Sequence, residues 1–313
     1  MKRKIQLMVN LILIAVMICS GIGSAYAAST MDAAEKVALR TDCTMEIAYS
    51  SVGTAFAGQN VKLWHIADIT ADAQYTLAGS FKKYPVTVTG VASNTEWDKM
   101  TVTLNSYILA DGISPDYTAE TDANGKVTFE NLTAGLYLVG SVRLEQDGTN
   151  NVFESFAAAV PGVDENGKWR YDISAKPKMS ESTPSKGEVT YKTVKIWKDN
   201  GKNRPDSITI EIFKNGALQE TVALNSANNW MHNWTAIDDG SVWNVTEKNV
   251  PKGYKVGIRK TGDTFQITNT RPYSGGLPKT GDTANLTPWC LLTAVSGAVL
   301  VVLGIARRKK RAA

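Results

Sequence analysis

The fold of this chain is decided by the stretch Thr190-Tyr191-Lys192-Thr193-Val194-Lys195-Ile196-Trp197. β-Branched and aromatic residues favour strands, and every second side chain of a strand lies on the same face. Further strands are predicted at 207–213, 221–224, 242–247 and 264–269, and the turn Asn215-Gly216 is expected to close a hairpin. About seven short strands within about 90 residues predict a small β-sandwich over 188–271.

A first domain is predicted over 28–178, and it is also built mainly of strands. It contains one helical pattern, in which Ser93 and Glu96 form a capping box and apolar residues recur at helical spacing until Gly112. The strands expected in this domain are 44–48, 61–67, 126–129, 136–142 and 152–159.

Two linkers are predicted from polar segments that contain Pro or Gly. The segment 179–187 is expected to join the two domains, and 272–281 is expected to follow the second domain. The predicted fold class is therefore all-β, with two tandem Ig-like β-sandwich domains, the first of which has a short helix.

The amino-terminal end has the pattern of a secretory signal peptide. Lys2-Arg3-Lys4 is a basic start, residues 5–18 are apolar, and Ala25-Tyr26-Ala27 supplies small residues for cleavage. We therefore expect residues 1–27 to be removed. Cys19 offers the alternative of a lipid attachment site, but the preceding Ile18 is larger than the Gly, Ala or Ser typical of such sites.

The carboxyl-terminal end carries the pentapeptide Leu277-Pro278-Lys279-Thr280-Gly281, an apolar run at 288–306 and a basic tail at 307–313. The apolar run is long enough to cross a bilayer as a transmembrane helix, and the cations are expected to remain on the cytoplasmic side. Pro278 keeps the pentapeptide extended. This order of segments resembles the cell-wall sorting signal of Gram-positive surface proteins.

The resemblance to a sorting signal implies partners and a location. In that family, the transpeptidase sortase cuts between the residues that correspond to Thr280 and Gly281 and joins the Thr carboxyl to an amine. Sortase and peptidoglycan are therefore the expected partners, and the membrane is a partner only before sorting. The mature chain is expected to be attached to the cell wall of a Gram-positive bacterium. The alternative is a single-span membrane protein that contains this pentapeptide by chance.

The positive charge of the chain belongs to its two ends. The whole chain has 34 cations, 30 anions and a formal net charge of +4. Residues 1–27 and 281–313 contain eight of the cations and one of the anions, so residues 28–280 have 26 cations, 29 anions and a net charge of −3. No basic patch with interleaved aromatic residues is present, and we expect no nucleic acid partner.

Cysteine and histidine are too few for several kinds of chemistry. Cys19 and Cys290 lie in the ends that are expected to be lost, so Cys43 has no partner for an intramolecular disulfide. His65 and His232 do not form a metal-ligand cluster, and no Gly-x-Ser-x-Gly elbow is present. We therefore expect no metal, no cofactor and no enzyme activity on other molecules.

Residues 188–271 resemble the B-type repeat of collagen adhesins. The resemblance rests on the segments 195–200, 204–205, 229–230, 245–247, 250–254 and 267–270, and the segment 245–254 also resembles the E-box of pilins. B-type repeats commonly contain an isopeptide bond between a Lys on the first strand and an Asn or Asp on the last strand, assisted by a Glu or Asp. The resemblance implies that Lys195 and Asn269 form this bond and that Glu247 is the assisting acid.

Strand alternation places each of these polar residues on a face with larger, core-type residues, such as Tyr191 and Trp197 beside Lys195. Burial lowers the pKa of a Lys and raises that of a Glu, which favours a neutral Lys195 amine and a neutral Glu247 acid. The acid can then polarise the Asn269 carbonyl and move protons to the leaving ammonia. The alternative is an ion pair between Lys195 and Glu247, with Asn269 in a turn.

Residues 28–178 more loosely resemble the amino-terminal module of two-domain streptococcal backbone pilins. The segment 169–178 resembles the pilin motif, with Lys176 in place of the usual Tyr, and its last residue, Lys178, corresponds to the nucleophile that attacks the sortase-bound Thr of another subunit. Pro177 is expected to end the preceding strand. The first strand of this domain has no Lys, and we expect no isopeptide bond in it.

These resemblances imply a structural pilin subunit with CnaB-like domains. Sortase would join the Thr280 carboxyl of one subunit to the Lys178 amine of the next, and such a heterologous contact does not close and so builds a filament. The expected partners are other copies of this chain or other pilins. The alternative is a monomeric wall-anchored adhesin whose first domain binds a host or partner ligand. The two hypotheses differ in whether Lys178 is used.

Overall fold

The computed structural model describes residues 36–51, 54–91, 93–146, 149–201 and 204–271. The predicted signal peptide, the sorting pentapeptide, the apolar run and the basic tail lie outside the described residues. In the described ranges, strands predominate and one α-helix is present, which confirms the predicted all-β class. That helix is not apolar enough to span a membrane, and no other described helix is long enough to do so.

Short strands make up most of the first half of the described chain. Their bounds are β1 (Cys43–Ala48), β2 (Ser50–Ser51), β3 (Thr54–Ala55), β4 (Asn60–Ile69), β5 (Tyr75–Leu77), β6 (Tyr117–Glu120), β7 (Lys126–Leu132), β8 (Gly135–Val139), β9 (Val142–Gln146), β10 (Thr149–Phe153), β11 (Phe156–Val160), β12 (Gly162–Val163), β13 (Trp169–Arg170), β14 (Asp172–Ala175) and β15 (Met179–Ser182).

These strands form several small sheets. The largest has the order β11-β8-β4-β5, with β6 also paired to β4. Two three-stranded sheets have the orders β14-β1-β7 and β15-β10-β9, and β1 runs parallel to β14. The remaining strands pair as β12-β13 and β2-β3, and a 3-10 turn spans Gly79–Lys83.

The second half forms the predicted β-sandwich. Its strands are β16 (Glu188–Lys198), β17 (Ser207–Lys214), β18 (Ala217–Asn225), β19 (Met231–Ile237), β20 (Trp243–Glu247), β21 (Lys255–Thr261) and β22 (Thr264–Thr270). One sheet has the order β19-β16-β22-β21 and the other β18-β17-β20. The strands β16 and β22 are parallel neighbours, and the other pairs in these two sheets are antiparallel. A 3-10 turn spans Ser226–Asn228.

The helix α1 (Asn94–Asp111) lies where the capping pattern predicts it, and at 18 residues it is longer than the short helix expected. The Ser93 side chain accepts a hydrogen bond from the Glu96 backbone N–H at 3.3 Å, which satisfies one free donor of the first turn. Gly112 ends the helix with a φ of +60°, a left-handed conformation that glycine adopts without a steric penalty.

Residues 179–182 differ from the sequence-based expectation. The polar composition of the segment predicts the start of a linker, but Met179–Ser182 forms β15 and pairs with β10. Pairing with a neighbouring strand satisfies the backbone groups of a polar segment that has little strand propensity of its own. The domain boundaries themselves remain predictions.

The helix α1 belongs to the first half of the described chain and packs against the second half. It packs against β20 and β21, which are edge strands of the two sheets of the sandwich. One continuous hydrophobic core contains residues of both halves, and all the described residues belong to one compact unit. The helix therefore covers a side on which the sandwich would otherwise be open.

Candidate functional site

The structure brings together three of the predicted site residues between the two sheets of the sandwich. Lys195 lies on β16 and Asn269 on β22, which are neighbours in one sheet. Glu247 is the last residue of β20 and belongs to the opposite sheet. The alternation of side chains along each strand points all three inwards.

The Glu247 carboxyl group contacts both of its expected partners. Its Oε2 lies 2.7 Å from Lys195 Nζ, and its Oε1 accepts a hydrogen bond of 2.8 Å from Asn269 Nδ2. The side chains of Lys195 and Glu247 are fully buried, and Asn269 is also 0% exposed. A buried carboxyl group thus bridges an amine and an amide.

The walls of this cluster are aromatic. Lys195 Nζ lies 4.6 Å from the centre of the Trp197 ring, which in turn contacts Trp230 and Tyr254 in edge-to-face geometry. Such walls exclude water and so raise the free-energy cost of a charge inside.

Burial shifts both pKa values towards the neutral forms. It lowers the pKa of Lys195 to about 8, although the nearby Glu247 partly opposes the change. It raises the pKa of Glu247, and here Lys195 opposes the change. An uncharged amine is a nucleophile and an uncharged acid can give a proton, so the site favours the reactive forms of both groups.

The amide group of Asn269 has a specific orientation. The sequence leads us to expect that the acid polarises the amide carbonyl, but in the structure Glu247 faces the amide nitrogen. That nitrogen would leave as ammonia, so the position of Glu247 suits delivery of a proton to Nδ2. The carbonyl oxygen Oδ1 is buried and has no hydrogen-bond partner among the described residues.

Lys178 is not part of this buried cluster. It lies between β14 and β15, its side chain is exposed, and its backbone carbonyl accepts a hydrogen bond of 3.0 Å from the Glu154 N–H. The preceding Pro177 is buried and follows the end of β14. The residues Leu277, Pro278, Lys279, Thr280 and Gly281 lie outside the described residues.

Two residues of α1 contact the B-type region, and the sequence does not predict these contacts. The Tyr107 hydroxyl donates a hydrogen bond of 3.1 Å to the backbone carbonyl of Glu247. Thr103 Oγ1 accepts a hydrogen bond of 2.7 Å from the Ile258 N–H. Tyr107 follows Leu104 by three residues, so helical spacing places it on the buried face, but spacing alone does not show what that face meets.

The described residues contain one cysteine, Cys43, and two histidines, His65 and His232. Cys43 is buried and unpaired, and burial raises the pKa of its thiol. Across the described ranges, no group of three or more His, Cys, Asp or Glu side chains is placed to hold a metal ion.

Comparison with known proteins locates the resemblance in the second half of the chain. The family model of the Cna protein B-type domain matches residues 191–270. A collagen adhesin of Staphylococcus aureus is 32% identical over 96 residues, which cover 28% of this chain and 8% of the adhesin. This chain therefore matches only a small part of that relative's length.

Solved structures of surface proteins also align with the chain. A single B repeat unit of the collagen-binding surface protein of Staphylococcus aureus is 20% identical, with 74% of this chain and 98% of that chain covered and a TM-score of 0.25. The full-length major pilin SpaD of Corynebacterium diphtheriae is 19% identical, with 74% of this chain and 64% of the pilin covered and a TM-score of 0.27. Residues 191–270, which contain all three members of the buried cluster, thus match the Cna protein B-type domain family.

Proposed function

We propose that this chain is a structural surface protein of the pilin or adhesin type, whose B-type domain is crosslinked by an isopeptide bond between Lys195 and Asn269. The observation that carries the proposal is the single Glu247 carboxyl group that contacts both Lys195 Nζ and Asn269 Nδ2. The cluster is fully buried, so it suits a reaction of the chain with itself and not with a separate substrate.

The reaction exchanges one amide for another. Lys195 Nζ attacks Asn269 Cγ, a new C–N bond forms, and the bond between Cγ and Nδ2 breaks. The protonated Glu247 gives its proton to Nδ2, which leaves as ammonia, and takes a proton from the attacking amine, so Glu247 ends in its starting form. The fixed positions of the three side chains supply the proximity that the reaction needs.

The intact mass of the purified protein tests the crosslink. We expect the wild-type mass to be lower than the sequence mass by one molecule of ammonia, and the Lys195→Ala variant to show no such loss. Lys192→Ala is the matched control, because Lys192 lies on the same strand with its side chain on the other face. A wild-type protein of full sequence mass, or the same ammonia loss in Lys195→Ala, would overturn the proposal.

We further propose that sortase joins the Thr280 carboxyl to Lys178 of the next subunit and finally to peptidoglycan. The exposed side chain of Lys178 supports this role, because an amine at the surface can reach a sortase-bound partner. A chain polymerised in this way is a pilus subunit. A chain that is anchored without polymerising is a monomeric adhesin.

Cell-wall extracts on a denaturing gel distinguish these outcomes. We expect wild-type extracts to show a ladder of high-mass species and Lys178→Ala extracts to show the monomer. Lys176→Ala is the control, because Lys176 is also exposed and lies only two residues away. A single wild-type band would favour the monomeric adhesin, and an undiminished ladder in Lys178→Ala would exclude this lysine as the nucleophile.

A further inference from the structure

We infer that Tyr107 is a positioning residue for the crosslinking reaction, so that α1, from the first half of the chain, completes the reaction site of the B-type domain. This inference rests on the proposed crosslink between Lys195 and Asn269. It assigns to the first half of the chain a role in the chemistry of the second.

The helix α1 covers the strand that carries Glu247. β20 is an edge strand, yet all five of its residues are buried. The cover is α1, and the Tyr107 hydroxyl donates to the Glu247 carbonyl at 3.1 Å. An edge strand has a hydrogen-bonded neighbour on one side only. A buried backbone carbonyl that points to the other side therefore requires a donor from outside the sheet.

A neighbouring aromatic ring holds Tyr107 in place. Its ring stacks on that of Tyr84, with centres 4.3 Å apart and an angle of 15° between the planes. The Tyr84 hydroxyl in turn donates to Asp111 at the end of α1. The Tyr107 hydroxyl is therefore presented to Glu247 by a ring that stacks on Tyr84.

The opposite sheet is also hydrogen-bonded to the first half of the chain. On the edge strand β21, the Ile258 N–H donates to Thr103 Oγ1 at 2.7 Å, and the Val256 N–H donates to the Pro85 carbonyl at 2.9 Å. The same helix thus bonds the edges of both sheets. One sheet carries Lys195 and Asn269, and the other carries Glu247, so α1 sets the separation on which their contact depends.

A small residue on β21 leaves room for a lysine side chain of α1. A Cβ atom on Gly257 of β21 would lie 2.0 Å from Lys99 Cε of α1. The pKa of Lys195 is lowered mainly by burial, and the charge of Lys99 contributes to the lowering. The docked helix therefore adds both exclusion of water and a nearby cation to the site.

The rate of ammonia loss tests the role of Tyr107. The full-length protein is refolded from denatured, uncrosslinked inclusion bodies, and intact mass is followed over time. Tyr107→Phe keeps the stacked ring and removes the donor to Glu247, and a misplaced acid is expected to slow the reaction about tenfold or more. Tyr137→Phe is the matched control, since the Tyr137 hydroxyl also donates to a backbone carbonyl, that of Thr133 at 2.7 Å, away from the crosslink site, and this variant should react at the wild-type rate.

Thermal unfolding separates positioning from folding. In a Lys195→Ala background, where no crosslink forms, Tyr107→Phe and Tyr137→Phe should have similar Tm values, because each loses one hydrogen bond from a tyrosine hydroxyl to a backbone carbonyl. Slow crosslinking by Tyr107→Phe together with a matched Tm supports the inference. An unchanged rate, or a slow rate accompanied by a much lower Tm than that of Tyr137→Phe, overturns it. Absence of ammonia loss from the wild type would instead refute the crosslink itself.

Discussion

Asn269 lies directly opposite Trp197 in the parallel pairing of β16 and β22, two residues beyond Lys195. Because residues two apart share a face, Asn269 and Lys195 are diagonal neighbours on the inner side of the sheet, within reach of a long side chain. A shift of one residue in the pairing would turn one of them outwards. The register of these two strands therefore determines whether the amine meets the amide.

Glu247→Gln should abolish the crosslink while preserving the shape of the side chain, because a glutamine cannot carry the transferred proton. The loop closed by the crosslink contains about 74 residues, and by analogy with disulfides its loss is expected to lower the free energy of unfolding by roughly 4 kcal/mol. Intact mass and thermal unfolding measure the two effects. Persistent ammonia loss in this variant would contradict the role of the acid.

The rate of crosslinking should depend on pH as a bell-shaped curve. The reactive state, a neutral amine and a neutral acid, holds one proton between Lys195 and Glu247. The pKa of Lys195 is lowered to about 8, chiefly by burial, so this proton is lost and the rate falls as pH rises above that value. Burial raises the pKa of Glu247, so the pair gains a second proton and the rate falls again as pH decreases through that raised value.

The pH profile is measured as ammonia loss by the protein refolded at a series of pH values. A rate that continues to rise far into the alkaline range would show that Glu247 need not keep its proton. A rate independent of pH would show that neither group titrates before the reaction.

Asp199→Asn should destabilise the B-type domain at neutral pH and have less effect in acid. The Asp199 side chain is 1% exposed and accepts hydrogen bonds of 2.6 Å from both Arg204 and the Tyr254 hydroxyl. The bond from Arg204 is the main cause that holds the pKa of this carboxyl well below its usual value. Because the pKa of Asp199 is lower in the folded state, the ionised carboxylate stabilises the fold at pH values above its unfolded pKa of 3.8. This stabilisation is lost as the pH falls through the lower pKa of the folded state.

Urea unfolding in a Lys195→Ala background measures this effect. We expect Asp199→Asn to lower the free energy of unfolding by about 1–3 kcal/mol at neutral pH, as for the loss of hydrogen bonds to charged groups. The decrease should be smaller in strong acid. Asp172→Asn is the control, because Asp172 pairs with Arg170 but is 66% exposed, and an exposed pair contributes about 0–1 kcal/mol. Equal losses in the two variants would contradict the prediction.

Gly125→Ala should destabilise the first half of the chain strongly. Gly125 has a φ of +72°, and a Cβ there would lie 2.4 Å from the Tyr49 carbonyl oxygen and 2.8 Å from the Phe56 nitrogen. The backbone strain and the overpacking act together, and we expect the free energy of unfolding, measured in urea, to fall by about 3 kcal/mol. Gly58→Ala is the control, because Gly58 has a similar φ of +66° and no atom within 4 Å of the added Cβ. The free energy of unfolding of Gly58→Ala should fall by only about 1 kcal/mol.

Local signals in the sequence predict the helix and the main strands correctly. The cap at Ser93 and the stop at Gly112 depend only on nearby residues. The hairpin turn at Asn215-Gly216 does too, since both residues adopt the positive φ that this dipeptide favours, 51° and 81°. Alternation along β16 likewise predicts that the Lys195 side chain lies on the inner face, and that side chain is buried.

The strands that sequence reasoning missed are edge strands. β19 and β21 form the two edges of the four-stranded sheet, and β15 is an edge of another sheet. Most of their residues are polar or partly exposed, although Val256 and Ile258 of β21 are buried, and they become strands because a neighbour pairs with them. The contact of Tyr107 with Glu247 was missed for a related reason, since it depends on two surfaces that are 140 residues apart in the sequence.

The parallel neighbours β16 and β22 are also the first and last strands of the sandwich, so the chain enters and leaves at opposite ends of this pair. A pull on the two ends therefore shears the strands and loads their hydrogen bonds at the same time. Once Lys195 is joined to Asn269, mechanical tension runs from residue 188 to residue 195, across the new amide, and out through residue 269. Residues 196–268 then bear none of the force, and the domain resists extension without having to unfold.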